Sequence, residues 1–292
     1  MYKPLKFKNK DQSMFLPTLK ERVDHFFDER QVSRHANPFM IFKTVLFLSI
    51  AVSLYVVIIT SVLPLFMQLI AGILLGMTMA FIGFNICHDA LHGAYSSNKK
   101  VNKALGFIFN IIGANTYVWN LTHNIVHHSY TNIIDHDEDI EIAPGLIRVN
   151  ESDKINKLQR YQHIYAFFLY SLTMLSWIFR KDYLKFFKKN IGNSHVNKHP
   201  GAEYVKLFLY KAIYYALFIV LPLLLMSLSW WQFLIGFVAM HLAEGLVLGL
   251  VFQLAHVVED TEIRHADNNA IHDAWAVHQL KTTANFAPAS RL

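Results

Sequence analysis

The sequence predicts an all-α integral membrane protein: two transmembrane helical hairpins, four membrane helices in all, carrying a cytoplasmic helical cap. Three observations predict it. The 292 residues are 53% hydrophobic but unevenly so. From Thr44 through Cys87 there is no Asp, Glu, Lys or Arg, a run of 44 residues, and from Ala212 through Ala255 a second run of 44 is interrupted only by Glu244. The 27 Lys and Arg fall in three blocks: nine up to Lys43, fifteen from Lys99 to Lys211, three after His256.

A helix of 44 residues would be about 66 Å long, roughly twice the hydrocarbon thickness, so each run suits a hairpin and not one crossing. Pro64 divides the first run; Pro222 and the Ser227–Trp231 segment divide the second. The spans are expected near 43–63, 66–87, 210–227 and 231–253. Neither hairpin turn carries a basic residue, and the positive-inside rule then sets both termini and the central loop in the cytoplasm. Five regions follow: a lead-in over 1–42 with a short amphipathic helix near Leu19–Phe27, a first hairpin over 43–87, a cap over 88–209, a second hairpin over 210–255, and a C-terminal segment over 256–292. The aromatic stretch from Tyr161 to Phe187 could span by length, but one crossing would break the charge sidedness. It is expected to lie in the interface or to cover the cap.

About forty polar, mixed-charge residues precede the first apolar run, which excludes a secretory signal peptide. A formal charge of +6 arises from the basic cytoplasmic side and suits anionic headgroups or a phosphorylated substrate. No basic motif with a groove-binding context points to nucleic acid. The lone Cys87 excludes an intrachain disulfide and fits a reducing compartment; it is read as a packed helix residue. The inner membrane of a bacterium fits this layout, or the endoplasmic reticulum in a eukaryote.

Sixteen histidines are placed unevenly. His88 closes the first hairpin and His256 the second. His88 and His92 stand four apart in HDALHG, as do His123 and His127 in LTHNIVHHSYTN, so each pair shares a helix face. His128 is turned about 100° from His127 on an α-helix and could reach a second ion. Six imidazoles exceed the need of a structural zinc, and no cysteine pairs complete a finger. Imidazole alone does not choose among Zn, Cu, Fe and Ni. Nitrogens arranged as i, i+4 pairs at a membrane edge argue for two redox ions and oxygen chemistry on a lipid. Isolated cases such as His25, His35 and His163 are read as ordinary hydrogen-bonded histidines.

HDALHG after one hairpin, HNIVHHSYTN in the loop, FQLAHV ending the next hairpin and WAVHQLKTTANF beyond it together resemble the membrane fatty-acid desaturase family, most of all the bacterial linoleoyl-CoA, front-end type acyl-CoA desaturases. The resemblance runs through essentially the whole chain. It implies a four-helix stem, a cytoplasmic cap and two iron ions held in histidine boxes, with O2 as co-substrate. His88 and His92 would be the first box, His123, His127 and His128 the second, and His256 a ligand from the last membrane helix. It implies a fatty acyl-CoA or acyl-lipid substrate, electrons from a separate ferredoxin or cytochrome b5, and contact with membrane lipid, with no nucleic acid. One departure stands out: the family's third box, QxxHH, is absent between His256 and Leu292, and His265, His272 and His278 do not replace it. A fragment or a degenerate relative would explain this; on the residues given, the metal site is incomplete and turnover is not expected. His199-Pro200-Gly201-Ala202 mimics a haem motif but lacks the surrounding domain.

Asp89, Asn124 and Glu259 lie beside or one turn from the proposed ligands and are candidates to orient imidazoles. The acidic run Asp137, Glu138 and Asp139 is expected to be a solvated turn. Thr282, Thr283 and Asn285 match the family's polar stretch near its substrate channel. Glu244, inside a membrane helix, is a functional candidate. Lys181, Lys185, Lys188 and Lys189 could hold CoA phosphates or lipid headgroups. The expected reaction is O2-dependent desaturation of a fatty acyl chain. A lipid hydroxylase of the same superfamily and a catalytically impaired fragment are alternatives. A divalent-metal transporter fits less well, because only His241 sits within a span.

Overall fold

A computed structural model describes residues 5–9, 11–140, 143–150, 153–191 and 198–285. A short strand β1 (Lys6–Phe7) and helix α1 (Phe15–Arg30) precede the first membrane helix, α2 (Pro38–Ile59). Helix α3 (Leu65–Leu91) completes the first hairpin, and α4 (Lys99–Ile111) and α5 (116–130) follow on the cap. Next come α6 (Gln162–Ser171) and α7 (173–187), then the second hairpin, α8 (Gly201–Leu225) and α9 (Trp230–His256). Strand β2 (Ala270–Ile271) and helix α10 (Trp275–Lys281) end the described chain.

Among the described residues four helices are long and apolar enough to cross a membrane: α2, α3, α8 and α9. Hydrocarbon offers the backbone no partners, so these apolar runs satisfy their N–H and C=O groups internally as helices. Their starts carry local signals. Asn37 caps α2 by accepting from Met40 N at 2.9 Å, with Pro38 in the first turn. Ser229 and Gln232 form a capping box on α9. Pro222 lies inside α8, where a π-helical turn over Ala216–Val220 immediately precedes it and re-registers the hydrogen bonds around the missing N–H. The break in the second apolar run therefore falls between Leu225 and Trp230 and not at the proline.

α8 begins at Gly201, nine residues before the expected start, and carries Lys211 into its span. That cation is buried against Asp182 of α7 at 2.8 Å and donates to the carbonyls of Gly113 and Trp177. The Asp182 carboxylate also accepts from Asn115 N and Trp177 Nε1, so the charge is fully paired.

The hairpins meet along α3 and α9. A Cβ at Gly76 would fall on the Met240 carbonyl, so only glycine permits this approach. In the Tyr161–Phe187 stretch, α6 and α7 pack against the C-terminal half of α9, where Gly245 and Gly249 sit under Ser171 and Tyr170. Ile164, Phe167 and Phe168 remain exposed on the outer face. β1 pairs in parallel with β2, Lys6 opposite Ala270 and Phe7 opposite Ile271, and Leu5 packs with Ile133 and Ile271. The lead-in is thus stitched into the cap.

Candidate metal centre

The histidine-bearing ends of α3, α5 and α9 converge. Two of the three are π-helical at that point: Gly83–His88 in α3 and Asn120–His127 in α5. Such wide turns concentrate at functional sites because they re-aim side chains out of α-register. The rings form one continuous group. Centroids of His88 and His92 lie 4.4 Å apart, His92 and His128 4.8 Å, His123 and His128 4.7 Å, His123 and His127 4.9 Å, and His127 and His256 4.6 Å.

The grouping cuts across the sequence pairs. Ligand atoms of His88, His92 and His123 all lie within 4.8 Å of one another and could hold a metal ion. His127 instead faces His256, with Nε2 atoms 3.2 Å apart. His128 does not turn away as α-helical spacing implied; its ring packs against both His92 and His123, because the π turn changes its direction.

Hydrogen bonds fix which nitrogens carry lone pairs. His127 Nδ1 lies 2.9 Å from Asp137 Oδ2, and His256 Nδ1 donates to the Thr282 carbonyl at 3.2 Å. Each Nδ1 therefore holds the proton and each Nε2 presents a lone pair. Two lone pairs facing each other at 3.2 Å repel unless something electrophilic lies between them. With imidazole–metal bonds of about 2.1 Å, that separation subtends an angle near 100° at one ion. The Nε2 atoms of His88 and His92 are likewise 3.2 Å apart. Among the described residues the buried Nε2 atoms of His123 and His128 have no partner, and each facing Nε2 pair shares either a proton or a metal ion, so the set fits metal.

The supporting residues differ from those expected. Asp137, Glu138 and Asp139 are not a solvated turn. Asp137 is buried, takes His127 Nδ1 and Asn132 N on one oxygen and Asp139 N on the other. Asp139 faces His123 Nδ1 at 3.4 Å and is gripped by Lys181 at 3.3 Å. Asn132, fully buried in left-handed conformation (φ +56°), donates to the carbonyls of His256, Glu262 and Thr282 and so ties the second box to α9.

Of the candidate orienting residues, Asp89 approaches His88 Nδ1 at 3.6 Å. The π turn directs Asn124 to the Leu91 carbonyl and Asn120 instead of an imidazole, and Glu259 is exposed in the turn after α9, beyond reach of the cluster. Thr282 is buried and acts through its carbonyl, whereas Thr283 and Asn285 are exposed. A run of acids soon after the second box was the only sequence signal for Asp137 and Asp139. Periodicity carried none, since their burial is tertiary.

Burial, with His88 adjacent, pushes His92 down to about 4. Burial likewise takes His123 to about 4 against the pull of Asp139, and burial among imidazoles takes His128 to about 3. All three are neutral near pH 7, the form that binds metal. For His127 burial also opposes charge, but the Asp137 hydrogen bond outweighs it and leaves the ring above its ordinary value. Burial would raise Asp139, yet Lys181 and His123 hold it well below the usual carboxylate range. Trp119 stacks on His123 at 4.5 Å, and Phe84 and Phe252 complete an apolar wall.

His199 and His241 have ordinary partners. His199 donates its Nε2–H to the Phe186 carbonyl, accepts from Tyr117 Oη at Nδ1 and stacks on Phe186, so the haem-like tetrapeptide is a packing element. His241, inside α9, is enclosed by Tyr214 Oη at 2.6 Å and Glu244 at 2.9 Å. Glu244, costly in a span, is thereby paired. Cys87 is buried and packed.

Fold and site define a membrane protein with a group of histidines at the ends of its membrane-length helices that could hold a metal ion. Residues 64–292 match the model of the fatty acid desaturase family. The sn-1 linoleoyl-lipid 6-desaturase of Arthrospira platensis is 34% identical over 94% of this chain and 74% of its own length. The protein of that name from Synechocystis sp. is 33% identical over 94% and 76%. An acyl-lipid (8-3)-desaturase of Physcomitrium patens is 30% identical over 98% of this chain and 60% of its own length. The chain belongs to the fatty acid desaturase family of oxidoreductases, which act on fatty acyl chains in lipid metabolism.

Proposed function

We propose that this protein is a desaturase that introduces a double bond into an acyl chain of a membrane lipid, with His88, His92, His123, His127, His128 and His256 as part of the ligand set for two iron ions, the QxxHH box of the family not being among the 292 residues. The observation that carries the reading is the pair of facing lone pairs on His127 and His256, each fixed by a hydrogen bond on the opposite ring nitrogen. When bound, iron supplies O2 activation: one O2, two donated electrons and two protons, with two hydrogens taken from adjacent methylenes, give one alkene and two waters. Asp137 and the Thr282 carbonyl hold the imidazoles of His127 and His256 in the binding tautomer. Trp119, Phe84 and Phe252 exclude water and offer an apolar approach for methylenes.

A lipid-borne substrate is favoured over acyl-CoA by charge. Lys181 is paired with Asp139, and Lys185 and Lys188 share Glu138, so two carboxylates already offset two of the four lysine charges considered for CoA phosphates. The named lipid substrates of the relatives agree. In this reading the histidine end faces the cytoplasm of a bacterial inner membrane, both termini lie there, and electrons come from a separate ferredoxin or cytochrome b5. Residues 88–209 and 256–292 form the cap on a stem of 43–87 and 210–255, and Thr282, Thr283 and Asn285 border the substrate path.

The test is expression in a host membrane with an electron donor, followed by mass analysis of lipid acyl chains. Loss of two hydrogens supports desaturation; gain of one oxygen would identify a hydroxylase. An unchanged acyl profile in iron-loaded, donor-supplied membranes overturns both.

A further inference from the structure

At the hairpin-turn end, opposite the histidines, the four membrane helices part. They leave an apolar cavity of ≈ 310 Å³ walled by Gly72 and Leu75 of α3, Phe218 of α8, and Gly236 and Met240 of α9, with Gln68 at its edge. These walls belong to membrane-spanning helices, so the molecules that reach them are lipids. Gln68 stands in the first turn of α3, at headgroup level; Leu75 is seven residues deeper, about 10 Å along the helix.

Gln68 supplies a second, independent observation. It is 8% exposed, and its Nε2 donates to the Leu63 carbonyl at 2.9 Å, but its Oε1 is buried with no donor. A buried amide oxygen calls for a hydrogen-bond partner. We propose that the cavity holds one acyl chain of a lipid from the leaflet on the hairpin-turn side, whose headgroup donates a hydroxyl or ammonium hydrogen to Gln68 Oε1.

This site is separate from the histidine centre. Leu75 precedes His88 by thirteen residues, about 20 Å of helix, and the packed Met79, Tyr214 and His241 fill the layer between. The bound lipid is therefore a fixed component that completes the packing where the two hairpins diverge, and not the acyl chain being processed. Room for it is visible at Gly236, where a Cβ would meet nothing within 4 Å, and at Gly72, where it would meet only the Gly236 carbonyl at 3.8 Å.

The full chain, reconstituted in nanodiscs with a photoactivatable diazirine-acyl phospholipid, tests this by mapping crosslinks. Crosslinks should concentrate at residues 72–75 and 236–240, several-fold above the outward-facing Met67 and Ile70, which do not line the cavity, and should fall at least fivefold in Gly236→Leu, which fills the cavity. Gly236→Ala, which meets no atom, reports on folding. Phosphatidylethanolamine (ammonium donor) and phosphatidylglycerol (hydroxyl donor) should compete better than phosphatidylcholine, which has neither, and Gln68→Leu should erase that preference without abolishing labelling. Labelling at the cavity no higher than at Met67 and Ile70, or unchanged in Gly236→Leu, would mean bulk lipid only and overturn the site. Equal competition by all three lipids would overturn the role of Gln68.

Discussion

Asp137 Oδ2 lies 2.9 Å from His127 Nδ1, and the carboxylate that makes this contact is sealed from solvent. A buried acceptor at that point does two things: it selects the tautomer with a free Nε2, and it makes that nitrogen a stronger donor to metal. Asp137→Asn keeps the volume but loses the charge, and it should weaken metal binding about 10–100-fold. Iron titration of the purified protein checks this, and an unchanged affinity would refute it.

That contact was hidden in the sequence, where Asp137 sits in a run of acids that looks solvated. The four spans were legible because hydrocarbon tolerates no unpaired charge, and a 44-residue uncharged run has few alternatives. Where α8 begins was not legible, because its first turns carry Glu203 and Lys206, which pair with each other and mask the continuity of the helix with the apolar run. The histidines were legible by spacing and position. Their sorting, with His123 beside His88 and His127 beside His256, depends on π turns that leave no mark in the pattern.

Acid should destabilise the metal-free protein. His92, His123, His128 and His278 all have folded-state values below the ordinary imidazole value, chiefly through burial. Between about 4 and 6.5 the unfolded chain then binds more protons than the folded one, so stability is full above about pH 6.5 and is lost as pH falls towards 4. His256 is lowered in the same way, so His127, which contributes with the opposite sign, is one ring against five. The thermal midpoint in detergent should drop from pH 7 to pH 5, and His278→Gln should flatten part of that slope. A midpoint that rises in acid would contradict the assignment.

Gly76→Ala should separate α3 from α9, because its Cβ would land on the Met240 carbonyl, which is backbone and does not yield. The cost is about 1–3 kcal/mol, in the range of overpacking. Gly201→Ala, at a position whose Cβ would meet nothing, serves as the control. Thermal unfolding in a fixed detergent measures both, and equal midpoints would remove the close-approach argument.

Lys211 and Asp182 are 3% and 1% exposed at the side chain and lie 2.8 Å apart. Lys211→Met leaves the Asp182 carboxylate buried without its cation, which should cost about 3–5 kcal/mol. Lys211→Met combined with Asp182→Asn should recover part of the loss, because the buried charge is gone, while the single amide oxygen keeps only one of the two donors, Asn115 N and Trp177 Nε1, which bond different carboxylate oxygens. Failure of the double variant to exceed the single one would show that the pair acts through packing and not through charge.

Iron stoichiometry discriminates the sorting of the ligands. If His88, His92 and His123 serve one ion and His127 with His256 another, single substitutions should remove ions selectively. His256→Ala should lower the bound iron by about one ion per chain, because His127 alone is left facing an open position. His92→Ala should also cost about one ion, and the two together should leave little iron. His199→Ala, whose ring is held by Tyr117 and Phe186 far from the cluster in contact terms, should leave the iron content unchanged. Elemental analysis of anaerobically loaded protein reads all four. Loss of all iron in either single variant would mean that the histidines form one cooperative unit, and retention of all iron in His256→Ala would take that residue out of the site.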